Sequence, residues 1–79
     1  MATDSDIEKV VDALVAELNR DKSLTRRRMY EVSLEHLGED ECTNAEGGWA
    51  IPLPVLALFR AKRPVGAKWN VDDEIWVLR

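Results

Sequence analysis

The sequence predicts a small α+β domain, and three observations predict it. Apolar residues recur at helical spacing through the first half of the chain, a short apolar run follows two prolines, and the C-terminal residues alternate around a pair of aspartates.

The first helix is the clearest. Ile7, Val10, Val11, Leu14, Val15 and Leu18 form one stripe at a spacing of three and four residues. Ser5 is placed as the N-cap, with Glu8 closing a capping box, and the helix is placed over about 5–20. Asp4 and Asp6 suit the positive end of its dipole. A polar break follows at Asn19-Arg20-Asp21-Lys22-Ser23. A second helix is placed over about 25–37, with Leu24 and Met29 at the positions of a hydrophobic staple and Gly38 as its stop. A short link between the two makes an αα-hairpin.

The charged loop Glu39-Asp40-Glu41 comes next. Cys42-Thr43 and Trp49-Ala50-Ile51 read as two short extended pieces around the turn-forming run Asn44-Ala45-Glu46-Gly47-Gly48. Pro52 and Pro54 end the extended run and open a third helix reaching about Lys62, since the first helical turn tolerates proline. Leu53, Val55, Leu56, Leu58 and Phe59 make this helix apolar nearly all round, so it is expected to be wedged between other elements. Asp72-Asp73 then reads as a two-residue hairpin turn. In that register Val71 faces Glu74 and Trp69 faces Trp76, with Trp69, Val71, Trp76 and Leu78 on one face, expected to be the core face. Three helices, a short strand and a terminal hairpin make a winged-helix-like arrangement in which the hairpin is the wing.

Seventy-nine residues suffice for one domain covering 1–79. A chain of this size buries only about 60% of its unfolded surface, so its core is small. Cys42 is the single cysteine, which leaves no intramolecular disulfide and no cysteine-based zinc site. A small domain without such staples depends on packing or on a second copy of itself. Met1-Ala2-Thr3-Asp4 has neither the basic nor the apolar region of a signal peptide, and no apolar run approaches a membrane span, so a cytoplasmic protein is expected. The net charge of −4 argues against a generic nucleic-acid or membrane-surface binder. It conceals a split: residues 1–59 sum to −6 and residues 60–79 to +2.

No residue set carries recognisable catalytic chemistry, and no enzyme, cofactor or metal is expected. His36 is the only histidine and sits near a helix C-terminus, where a cation is favourable. Pairing it with Cys42 as base and nucleophile would need hydrogen-bond reach and a third orienting group, which nothing in the spacing specifies. Glu39, Asp40 and Glu41 lack the spaced ligands and central glycine of a calcium loop. Gly47-Gly48 lacks the lysine and hydroxyl residue of a phosphate loop and reads as a tight turn that lets Trp49 dock.

Two basic clusters are the candidate contacts. Arg26, Arg27 and Arg28 lie at the positive end of a helix dipole, a placement that is locally unfavourable unless nearby acids or an anion compensate it. Arg60, Lys62, Arg63 and Lys68 form the second cluster. Together they are the candidate anion or nucleic-acid contacts. Trp69 and Trp76 are expected in the core, and Trp49 is the candidate interface residue.

The run Asn44-x-x-Gly47-Gly48-Trp49-Ala50-Ile51, then Val55-Leu56-x-x-Phe59-Arg60, Trp69 and Trp76-x-x-Arg79 resembles an uncharacterised bacterial family of short winged-helix-like proteins, a domain of unknown function. The likeness spans essentially the whole chain. It departs at Leu37, where an aromatic residue is expected, and at Pro52-x-Pro54. The resemblance implies a winged-helix-like fold and assigns no catalytic residues. The expected function is a non-catalytic interaction module for a protein partner or a second copy, without membrane or metal. The alternative is a winged-helix regulator that meets DNA phosphates through Arg26–Arg28 and the 60–68 segment, and it is weakened by the acidic hairpin tip and by a third helix without base-reading side chains.

Overall fold

Thr3 sets where the chain becomes helical. In the computed structural model, which describes residues 3–79, its hydroxyl accepts the Asp6 N–H at 3.1 Å, and its own N–H donates to the Asp6 carboxylate at 3.2 Å. This capping box starts helix α1 (Asp4–Asp21) upstream of the expected Ser5 cap. The Thr3–Asp6 pair has the same spacing as Ser5–Glu8 and adds residues to the helix. Helix α1 also runs through most of the expected polar break. It ends where Lys22 turns left-handed at φ 64° and donates its N–H to the Leu18 carbonyl.

Strand β1 (Ser23–Thr25) comes next and was not expected. Its Leu24 is buried, and Thr25 doubles as N-cap of helix α2 (Arg26–Leu37), its hydroxyl accepting the Arg28 N–H at 3.0 Å. Leu24 and Met29 are both buried, as a staple requires. Gly38 ends α2 at φ 87°.

The expected short strand is reduced to a single bridge between Thr43 and Trp49, with Cys42 closing a 3-10 turn over Glu39–Cys42. Asn44 organises the loop between them. Its side-chain oxygen accepts the Glu46 and Gly48 N–H groups at 3.0 and 2.9 Å, and Gly47 takes φ 83°. The Asn44 side chain takes the Gly48 N–H on the loop side, and the 3-10 turn at Glu39–Cys42 bounds the other side, so pairing stops at one bridge.

Helix α3 (Leu53–Lys62) follows the two prolines. It is not wedged on all sides. Val55 and Phe59 face the core, whereas Leu53 is 78% exposed and Ala57 and Ala61 face solvent. Strands β2 (Ala67–Asn70) and β3 (Ile75–Leu78) form the C-terminal hairpin. Trp69 pairs with Trp76 as the alternation predicts. The loop is four residues long, Val71–Glu74, instead of two. Asn70 accepts the Asp72 and Asp73 N–H groups on its side-chain oxygen, and Glu74 turns left-handed at φ 51°. The expected Val71–Glu74 pair therefore does not form, and Val71 is 73% exposed, not on the core face.

The antiparallel sheet has the order β1-β3-β2, with Leu24 opposite Trp76. The architecture is α+β: three helices and a three-stranded antiparallel sheet that ends in a C-terminal hairpin. Helix α1 packs against α2 and α3 and reaches the sheet. Val10, Val11, Leu14, Leu18, Leu24, Met29, Val55, Phe59 and Trp76 form one core. No helix among the described residues is long and apolar enough to cross a membrane.

Candidate functional site

The sheet order decides how the tryptophans are used. β3 is the central strand, so its Trp76 is covered on both sides and is only 7% exposed. β2 is an edge strand, and its Trp69, on the same sheet face, is 39% exposed instead of buried as expected. Phe59 of α3 meets Trp76 edge-on with ring centroids 5.3 Å apart, and Trp69 meets Trp76 at 5.6 Å. Three aromatic rings thus lead from the core at Phe59 to the surface at Trp69. The Arg63 guanidinium lies 5.5 Å from the Trp76 ring centroid as a cation–π cover.

Two concavities meet at this ladder. The first, of 160 Å³, lies between the start of α2, the middle of α3 and the hairpin. Met29, Ile51, Leu56 and Phe59 supply its apolar lining, Trp69 and Trp76 its aromatic side, and Arg26 and Arg60 its charge. The second is shallower, 660 Å³, and extends past the end of α3 along Arg63-Pro64-Val65-Gly66 to β2. It shares Arg60, Trp69 and Trp76 with the first. Gly66, at φ 93°, permits the close return of the chain: a Cβ there would sit 2.5 Å from the Arg79 backbone oxygen.

The structure sorts the basic residues into separate groups. Arg28 donates to Glu17 of α1 at 2.9 Å, a bond that raises its already high pKa, and lies 3.6 Å from Glu31. Arg27 pairs with Glu31 at 3.8 Å. Both acids compensate the dipole penalty, and Glu17 ties α2 to α1. Lys62 points to α1, where Asp12 is 3.7 Å away. Lys68 borders the second concavity, but strand pleating turns its side chain away from the Trp69 face.

Arg26, Arg60 and Arg63 are brought together around the tryptophans. Arg26 lies 5.0 Å from the Trp49 ring centroid and 3.4 Å from Glu74, both partners at the surface. Arg60 and Arg63 hold no ion pair among the described residues. Trp49, 40% exposed, packs against Tyr30 in a tilted arrangement at 4.9 Å and so fastens the Asn44 loop to α2 beside the groove.

The remaining reactive groups lie elsewhere. His36 Nδ1 is 3.0 Å from the Val32 carbonyl of its own helix. The Cys42 thiol is buried, and burial, with a smaller contribution from Glu41, pushes its pKa up. No group of three or more histidine, cysteine, aspartate or glutamate residues among those described is placed to hold a metal ion.

Comparison of the chain with models of known families, with curated proteins and with solved structures finds no match in any of the three. Trp69 is the site residue that sequence reasoning misplaced. Alternation correctly gave its face. Its edge position follows from β1, whose only sequence signal is Leu24.

Proposed function

We propose that this chain is a non-catalytic, winged-helix-like interaction module that binds a protein segment in the groove between α3 and the C-terminal hairpin. The observation that supports it is the exposed Trp69, set between two joined concavities and flanked by Arg60 and Arg63. Tryptophan and arginine dominate binding hot spots because each offers a large contact area with little entropy to lose per contact. Met29, Phe59 and Trp76 give that surface a rigid apolar backing.

DNA binding is the second reading, favoured by the order of elements and by the same free guanidinium groups. Three observations weigh against it. Arg27 and Arg28 are engaged with Glu17 and Glu31. Of the exposed residues of α3, Leu53, Pro54, Ala57 and Ala61 offer no hydrogen bonds to base edges, leaving only Arg60 and Lys62 near its end. The hairpin tip carries Asp72 and Asp73, which repel phosphate.

Panning the purified chain against a displayed random-peptide library tests the proposal, with an electrophoretic shift assay on duplex DNA across a salt series as its counterpart. The expected result is peptide binders that Trp69→Ala loses, and no retained DNA. DNA retention that falls steeply with salt, with no peptide binders, would overturn it.

A further inference from the structure

The groove's chemistry specifies its occupant more narrowly than "a protein segment". Arg26, Arg60 and Arg63 line the two concavities, and no acidic residue lines either. This occurs in a chain whose acids outnumber its lysines and arginines 15 to 11. Elsewhere the cations Arg20, Arg27, Arg28 and Lys62 each lie within ion-pair distance of an acid. The face around Trp69 therefore gathers Arg60 and Arg63, which have no carboxylate of their own, with Arg26, which is held only by surface Glu74.

Taken alone, the first concavity is also small for a typical small-molecule ligand. Its 160 Å³ falls below the roughly 300–1,000 Å³ of such pockets. It has room for one leucine- or phenylalanine-sized side chain. Its lining of Met29, Ile51, Leu56, Phe59 and Trp76 suits an apolar group.

We infer that the groove takes an acidic peptide segment carrying one large apolar side chain. The side chain enters the concavity between α3 and Trp69, and the flanking carboxylates meet Arg60 and Arg63. Guanidinium groups bind carboxylates in a planar, two-pronged geometry, so arginines at these two positions favour carboxylate partners. Arg26 gives a third contact, since its surface pair with Glu74 is weak and exchangeable. This inference rests on the binding-module reading and names its partner.

The sequences selected from the same library, together with synthetic copies of the most enriched one, test it. The expected binders place aspartate or glutamate beside a single leucine, phenylalanine, tryptophan or methionine. Neutralising those acids to asparagine and glutamine, or making Arg60→Glu or Arg63→Glu in the chain, lowers affinity at least about tenfold. Both arginines are exposed, and circular dichroism confirms that the variants remain folded. Binders without acidic enrichment, lost in Trp69→Ala but unchanged in Arg60→Glu and Arg63→Glu, overturn the acidic partner and leave the binding module standing. No binders, binders that Trp69→Ala retains, or retention of duplex DNA alone overturn both.

Discussion

Trp69 and Trp76 face each other across the hairpin with ring centroids 5.6 Å apart, yet Trp76 is 7% exposed and Trp69 is 39% exposed. One closes the core and the other is available to a partner, and the difference comes from the central and edge places of their strands.

The two positions should respond differently to truncation. Trp76→Ala removes a ring that Phe59, Trp69 and Arg63 all contact, and should cost about 3–5 kcal/mol. That is a large share of the roughly 4–12 kcal/mol expected for a domain of this size. Trp69→Ala, which removes a half-buried ring and its contact with Trp76, should cost less, about 1–2 kcal/mol. Urea denaturation of both variants checks this, and equal losses would mean that Trp69 is a core residue.

Gly66 is the one glycine whose replacement meets backbone. At φ 93°, with its would-be Cβ 2.5 Å from the Arg79 backbone oxygen, Gly66→Ala combines conformational strain with a clash. We expect a loss of at least about 1–3 kcal/mol and faster amide exchange at Arg79, whose N–H donates to the Gly66 carbonyl. A thermal midpoint equal to wild type would contradict this geometry.

Acid sensitivity should trace partly to the first turn of α1. The Thr3 backbone N–H, and secondarily its hydroxyl, hold the Asp6 carboxylate below its ordinary pKa. A depressed folded-state pKa stabilises the fold above the unfolded value, about pH 4, and that contribution is lost as pH falls through the folded value. The stability difference between wild type and Asp6→Asn should therefore shrink below about pH 4. Denaturation curves through this range measure it, and a difference independent of pH would count against the capping box.

Cys42 should behave as a structural thiol. Burial, aided by the nearby Glu41 charge, disfavours its thiolate. Reaction with a thiol reagent at about pH 8 should be slow in the native protein and complete after unfolding. Rapid native-state labelling would show that the 3-10 turn at Glu39–Cys42 opens readily.

Much of the fold was legible because its signals are local. The stripe from Ile7 to Leu18 forms the buried face of α1, and alternation placed Trp69 opposite Trp76. What was illegible depends on distant contacts or competing local bonds. β1 has three residues, and its partners Ile75–Val77 lie some fifty positions away. Without β1 nothing marks β3 as central or Trp69 as an edge residue. Ser5 and Thr3 offer equivalent capping patterns, and only the longer helix separates them. The hairpin loop widened because Asn70 captures the Asp72 and Asp73 N–H groups.

The basic clusters were visible as composition, but their division was not. Glu31 reaches Arg27 and Arg28 within α2 itself, but Glu17 for Arg28, Asp12 for Lys62 and surface Glu74 for Arg26 are brought near only by the tertiary structure, which brings no acid to Arg60 or Arg63.

The most direct measurement is a two-dimensional NMR titration of the labelled chain with an enriched peptide, following tryptophan indole and arginine side-chain N–H signals. Saturable shifts are expected at Trp69, Arg60 and Arg63 and in the backbone of α3 and β2. Shifts centred on the face of α1 opposite α3, with Trp69, Arg60 and Arg63 unmoved, would contradict binding in the groove.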